Sequence, residues 1–380
     1  MRFGIPLALA CGLIAGSALA LTAPVKRSPD IADCGAEAGP DDLCRIAVGF
    51  DAAEAARRLG ADPLAYWISG QTLNIAARWP GDALKISGTI EEGLTPLSEG
   101  PSDRFWGGSY RLAHMADSLL EVRLGLHPAQ GPTLTYRGPQ APKATAVELL
   151  PRGRTPTVEL DSQALGAPRK VTLYLPPAPP PATGYPVIYM ADGQMLDSYI
   201  PLVDALIRRG VIRPVMLVGA WFGVDPAAPT SSTLRQHEFL KRQDPAAYGR
   251  HEAFILDEVV PLAEGRYHAS GRPQDRMLFG FSNGADWALT LAADHPGFAG
   301  NVAAFSRSRL SDPRFEAATA PRLFLEAGRY EPAFFKPTEQ LCRDAQAAGV
   351  TCRFAPYYAG HDTAAWQAEL AKVLVAVFGA

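Results

Sequence analysis

Five consecutive residues, Gly280-Phe-Ser-Asn-Gly284, are of a type and spacing that implies chemistry. A Gly-x-Ser-x-Gly turn between an apolar strand and a helix forces its serine into a strained backbone position and lifts the hydroxyl clear of the sheet edge. Met277 to Phe279 can supply the strand and Ala285 to Ala293 the helix, so Ser282 is the candidate nucleophile. A serine hydroxyl attacks a carbonyl carbon at neutral pH only if a base takes its proton. Of the seven histidines, His361 alone falls just after the last predicted strand and behind a glycine. His114 and His127 belong to an earlier region, and His237, His251, His268 and His295 fall in loops or helices remote from such a strand end. The imidazole needs a carboxylate to hold its tautomer. Glu331, in Gly328-Arg-Tyr-Glu331 after another strand, is the expected acid, with Asp312 and Asp344 in reserve. Asp362 would have to fold back on its neighbour. Backbone donors for a tetrahedral oxyanion are expected from Asn283, next to the nucleophile, and from Gly193 in Ala191-Asp-Gly-Gln194.

These groups need a scaffold, and the second half of the chain reads as one. Strands at Lys170–Leu175, Pro186–Met190, Val215–Ala220, Met277–Phe279, Asn301–Phe305, Leu323–Ala327 and Thr351–Tyr357 alternate with helices at Leu196–Arg209, Tyr248–Gly265, Thr338–Ala348 and Thr363–Phe378. That alternation predicts a mainly parallel sheet covered on both faces, with reactive groups at the carboxyl ends of its strands. The chain order serine, acid, histidine is that of the α/β-hydrolase fold. Upstream, a helical pattern from Ile46 to Leu59 gives way to short strands at Leu73–Trp79, Ala83–Ile86, Phe105–Leu112 and Leu119–Leu124, separated by Gly/Pro turns, as in a small β-sandwich. It carries no catalytic constellation and reads as a binding or covering domain. The expected division is a signal peptide over residues 1–20, the N-terminal domain over 21–127, a Pro/Gly-rich linker over 128–156 and the catalytic domain over 157–380.

With 47% hydrophobic and 20% charged residues the chain is of ordinary globular composition, and a net charge of −3 without a polybasic run argues against nucleic acid as a partner. One arginine, an apolar run and Ala18-Leu-Ala20 predict cleavage after Ala20 and no stable membrane insertion afterwards. An exported chain with Cys34, Cys44, Cys342 and Cys352 is expected to form two local disulfides, 34–44 and 342–352, in the periplasm or outside the cell. No histidine or cysteine cluster has zinc spacing, and the proposed chemistry calls for neither metal nor cofactor.

Several stretches together resemble the "Putative esterase" family of α/β-hydrolases, which is related to esterase D, and its enterochelin esterase-like members in particular. They are Arg169-Lys-Val-Thr-Leu-Tyr-Leu-Pro176, Asp192-Gly-Gln194, Arg235-Gln-His-Glu238, Gly280-Phe-Ser-Asn-Gly284 and Gly360-His-Asp362 with Trp366. The resemblance spans roughly Thr157 to Ala380 and implies Ser282 and His361 as catalytic, with the Asp192-Gly-Gln loop beside the oxyanion. The N-terminal region, with Trp106, looks like the β-sandwich that precedes the hydrolase domain in enterochelin esterases. Asn283 and Ala285 stand where the family varies, and Phe305-Ser-Arg-Ser308 departs from its usual Ser-Gly-Ser run. The partner is then a small-molecule ester. Trp221, Arg235 and Glu238, with Arg307 and Arg309 in loops expected on the same side, would suit an aromatic, anionic ester such as a catecholate siderophore. Cinnamoyl or acetyl esters of polysaccharides, acyl transfer to an alcohol, and a non-catalytic ligand-binding role on a hydrolase scaffold are the competing expectations.

Overall fold

The computed structural model describes residues 27–29, 31–35, 43–81, 84–98, 104–124, 133–143, 145, 151–224 and 232–380. The expected leader over Met1 to Ala20 lies outside them. In the N-terminal region β1 (Leu43–Ile46), α1 (Ala52–Leu59), β2 (Leu64–Ser69) and β3 (Thr72–Arg78) are followed by β4 (Lys85–Gly88), the two-residue strands β5 (Glu92–Gly93) and β6 (Thr95–Pro96), β7 (Phe105–Leu112), β8 (Leu119–Leu124) and β9 (Thr133–Arg137). One sheet runs β1-β7-β3-β2 with β6 against β7, the other β5-β4-β8-β9, and all their pairings are antiparallel. Leu73, Ile75 and Tyr110 of the first meet Ile86, Leu120 and Val122 of the second in one buried cluster, which makes the pair a sandwich. Strand β9 corrects the expectation of a linker from residue 128: Leu134 and Tyr136 alternate inward onto that cluster, a period-two signal overshadowed by the prolines and glycines on either side.

The second region opens with the antiparallel pair β10 (Thr157–Ser162) and β11 (Ala167–Tyr174). Strands β12 (Val187–Met190), β13 (Met216–Ala220), β14 (Arg276–Phe281), β15 (Asn301–Phe305), β16 (Arg322–Gly328) and β17 (Cys352–Tyr357) complete an eight-stranded sheet in the order β10-β11-β13-β12-β14-β15-β16-β17. From β13 onward the strands are parallel. This is the α/β-hydrolase sheet with a separate N-terminal sheet domain. Val187 and Tyr189 face one buried cluster while Ile188 and Met190 face the other, which is why this strand reads as a continuous apolar run and not as an alternation.

Helices α2 (Ile200–Arg208) and α8 (Thr363–Phe378) cover one face of the sheet, and α6 (Asn283–Asp294) and α7 (Pro332–Ala347) cover the other. A further helix, α3 (Ser232–Phe239), was not expected from the sequence. The single helix expected over Tyr248–Gly265 is α4 (Pro245–Ala253), a π-turn over Phe254–Val259 and α5 (Val260–Tyr267). Pro261 lacks an N–H to continue the α-ladder, so a wider turn just before it relieves the mismatch. Cys34–Cys44 and Cys342–Cys352 are paired, with Cα atoms 5.1 Å and 5.6 Å apart. Among the described residues no helix is long and apolar enough to cross a membrane.

Candidate active site

Strand β14 ends at Phe281, and Ser282 follows at φ 55°, ψ −130°, capping α6. For a residue with a Cβ this region costs on the order of 1–3 kcal/mol, so the surroundings must impose it. They do so through the two glycines. A Cβ on Gly280 would lie 2.0 Å from the carbonyl oxygen of Gly284, and one on Gly284 would lie 3.0 Å from Asp192 Oδ2. Side chains at either position would open the turn. The Ser282 N–H donates to the Phe305 carbonyl at the end of the neighbouring strand, 3.0 Å away. Asp192 (φ 59°) and Ser306 (φ 50°), just past β12 and β15, are also left-handed, so three of the five such non-glycine residues among those described, all but His114 and His268, lie at the carboxyl edge of the sheet.

Asn283 begins α6 and Gly193 begins a 3-10 turn over Gly193–Ser198. The first N–H groups of such turns have no acceptor within them. Gly193 must be glycine because a Cβ would approach the Gly219 carbonyl oxygen to 2.3 Å. The loop is held by Asp192, whose carboxylate takes a two-point ion pair from Arg235, 2.7 Å at Nη2–Oδ2; the same Nη2 reaches the Phe281 carbonyl at 3.4 Å. One guanidinium thus ties the Gly193 loop to the residue before Ser282.

His361 lies after β17, with Nδ1 2.7 Å from Glu331 Oε2. The other oxygen of Glu331 accepts from the Gly328 N–H at 2.7 Å and from Ser306 Oγ at 2.5 Å, and Tyr357 O–H stands 3.4 Å away. Glu331 also stands at the N-cap position of α7, where the helix dipole favours a carboxylate, although its side chain makes no capping bond to the helix. A neutral His361 that donates through Nδ1 to this acceptor keeps the lone pair of Nε2 free to act as a base. Its ring is wedged between Phe334, 4.2 Å between centroids, and the edge of Trp366, 4.8 Å. Trp366 stacks on Phe281 at 4.4 Å and donates its indole N–H to Ser306 Oγ at 2.9 Å. Histidine, acid and serine therefore border one packed group of side chains. Ser282 Oγ is committed to no other side chain among the described residues.

The reserve acids fall away: Asp312 is exposed and pairs with Arg314, and Asp344 is exposed on α7, where Gln340 donates to it. His251 is buried among Phe239, Phe254 and Trp287, and burial pushes its pKa down to about 4. It is a core histidine. The residues expected to meet substrate are otherwise engaged. Arg235 and Glu238 lie on α3 and not in a loop; Arg235 is held by Asp192, and Glu238 makes a bidentate pair with Arg169, 2.9 Å at each contact, while accepting from Gly223 N–H. Trp221 donates its indole N–H to Thr172 Oγ1 at 2.9 Å under Lys170, so its ring belongs to the side of β11, separated from β14 by β13 and β12. Arg307 is buried against Asp286 and the carbonyls of Ser311 and Pro337, leaving Arg309 as the exposed arginine of that set.

Sequence reasoning missed the surroundings of the pair. A small cleft of about 50 Å³ borders His361 between the two domains, lined by Ile31, Thr89 and Glu91 on one side and Tyr330 and Phe334 on the other. Asp362 is fully buried beneath it, caps α8 through Ala365 N–H at 2.9 Å, accepts from Thr89 Oγ1 at 2.9 Å, and is raised by burial to about 7. The only signal for this was the position of Asp362 before an apolar helix, which marks a cap.

Residues 162–377 match the sequence profile of the family described as "Putative esterase". A Bacillus subtilis (strain 168) protein, YbbA, itself described as uncharacterized, is 26% identical over 145 residues, which are 37% of this chain and 57% of that protein. The chain thus spans little more than half the length of this curated relative. Among solved structures, enterochelin esterase from Shigella flexneri superposes with a TM-score of 0.63 at 15% identity, over 87% of this chain and 98% of that one. The enterobactin esterase FES from the same organism gives 0.62 at 16% identity, over 83% and 96%. At these identities the likeness is one of fold, and it takes in both domains.

Proposed function

The chain belongs to the "Putative esterase" family, and from that premise we propose that it is a carboxylic ester hydrolase with Ser282, His361 and Glu331 as its catalytic triad. The observation that carries this reading is the 2.7 Å contact of His361 Nδ1 with Glu331, together with a serine held at φ 55° whose neighbour Phe281 stacks on Trp366, the ring that also meets His361. Ser282 Oγ attacks the ester carbonyl as His361 Nε2 takes its proton; Glu331 holds the ring and balances the imidazolium. The oxyanion is received by the N–H groups of Asn283 and Gly193. Collapse expels the alcohol, protonated by Nε2–H, and leaves an acyl-serine. Water, deprotonated by Nε2, then attacks the acyl carbon; acid and free serine are released. A fluorophosphonate probe tests this directly. Labelling of the wild type but not of Ser282→Ala supports it, and an unlabelled wild type favours a ligand-binding role. Product analysis with added alcohols separates hydrolysis from acyl transfer.

For substrate, the reading is an aromatic ester that reaches Ser282 past Phe334 and His361, with an enterobactin-type siderophore ester as the first candidate. It is supported by likeness across both domains to an enterobactin esterase and an enterochelin esterase. A second reading, a neutral cinnamoyl or acetyl ester, is favoured by the engagement of Arg235 and Arg307 in ion pairs and by Glu91 at the cleft. Hydrolysis rates on a ferric catecholate triester and on methyl ferulate decide between them. Two disulfide pairs together with the N-terminal leader pattern support a periplasmic or secreted location; mass spectrometry of the recovered protein, with a mature chain beginning near Leu21, tests it.

A further inference from the structure

The acid and the histidine sit on loops that lean on the other domain. Tyr330, next to Glu331, is buried within the core of the N-terminal sandwich. Its phenol oxygen lies 2.6 Å from Ser118 Oγ and reaches the Ala113 carbonyl. The loop that leads to His361 is tied in the same way: Leu119 N–H donates to the Tyr358 carbonyl at 2.9 Å, and the His114 ring stacks on Tyr358 at 4.4 Å. On the far side of His361, Thr89 Oγ1 donates to Asp362 at 2.9 Å and itself accepts the Glu121 N–H at 2.8 Å. Gly360 completes the contact, since a Cβ there would lie 2.2 Å from the Thr89 carbonyl oxygen. Chain neighbours of both Glu331 and His361 are therefore anchored to residues more than two hundred positions away.

We propose that the N-terminal domain is a scaffold that sets the geometry of the acid–histidine pair, and that Thr89 is a positioning residue acting on His361 through Asp362. The proposal rests on the triad reading above. It replaces the expectation of a domain that only covers or binds. Thr89 is rooted in the sandwich by its N–H, which donates to the Glu121 carbonyl at 2.8 Å, and by its hydroxyl, which accepts the Glu121 N–H, so that hydroxyl is a fixed donor. It meets a carboxylate that caps α8 one residue after the base. If that donor is lost, the cap and the imidazole before it can drift, and a displacement of about 1 Å at a reacting group can cost about 100-fold in rate.

The test compares full-length wild type, Thr89→Val, Thr89→Ser and Ser282→Ala on 4-nitrophenyl acetate, with thermal melting of each. The small substrate makes no demand on a roof. Thr89→Val is expected to lower kcat by about 10- to 100-fold with KM within about twofold, and Thr89→Ser to stay within about threefold of wild type. An inactive Ser282→Ala beside a Thr89→Val with full kcat overturns the positioning role and leaves the triad standing. An active Ser282→Ala overturns the triad reading and this inference with it. Should Thr89→Val fail to fold, Ser118→Ala and Tyr330→Phe make the same comparison from the side of the acid, and wild-type kcat in both overturns the proposal.

Discussion

The serine turn and the acid–histidine pair are held in place by different means. Everything described as shaping the turn at Ser282 lies within the hydrolase domain: Gly280 and Gly284 allow the close approach, and Phe305 at the end of β15 and Asp192 after β12 close it in. Glu331 and His361 hang from loops whose neighbours are anchored in another domain, at Ser118, Leu119 and Thr89. Local steric constraint suffices for a nucleophile that must hold one strained conformation. A base that must face both an acid and a substrate sits on longer loops, and those are steadied by distant packing. The contrast predicts that damage to the turn abolishes chemistry outright, whereas damage to the interface misaligns it by degrees.

The largest effect should come from the reacting groups. Ser282→Ala and His361→Ala are each expected to cost about 10⁶-fold in kcat, with the double variant little worse, because residues acting as one unit are not additive. A much larger loss in the double variant would break the comparison by separating the two. Glu331→Gln should cost about 10⁴-fold, since it orients and stabilises without exchanging protons. Asp312→Asn, altering an exposed partner of Arg314, should leave kcat at its wild-type value; the reverse ranking would remove Glu331 from the site.

Gly360→Ala sharpens the contrast from the interface side. The added Cβ meets the Thr89 carbonyl oxygen at 2.2 Å and must push the His361 loop off the sandwich. The expected cost is about 100-fold in kcat and about 1–3 kcal/mol of stability in urea unfolding. Unchanged kcat would show that the interface carries no alignment. The smallest effect concerns pH. Burial raises Asp362 to about 7 from 3.8, so the folded protein keeps a proton that the unfolded chain releases. Its contribution to stability is full below about pH 4 and is lost as pH rises to about 7. Asp362→Asn, which keeps a capping side chain, should flatten that part of the stability–pH curve, as read from urea midpoints between pH 4 and 8. An identical slope in the variant would place the titration elsewhere.

Much of the fold in both domains was legible because its signals are local. Phe105–Leu112, Leu119–Leu124, Asn301–Phe305 and Thr363–Phe378 have the bounds their residue patterns imply, and both disulfides join cysteines ten positions apart. Helix α3 was not legible, because Ser-Thr-Leu-Arg-Gln-His-Glu-Phe carries no strong apolar stripe, and its arginine and glutamate read as substrate ligands until their partners Asp192 and Arg169 were in view. Strand β9 was hidden by the turn residues around it.

By itself the sequence determined the nucleophile turn, the order of serine, acid and histidine along a mainly parallel sheet, and the cysteine pairs. Each of these is written in neighbouring residues, where sterics and side-chain period act over a few positions. Only the tertiary structure decided which arginines remain free, that Glu331 and not Asp312 meets His361, and that Thr89 meets Asp362 across 273 positions. Such contacts have no local signal, because they exist only once two independently patterned surfaces are packed together.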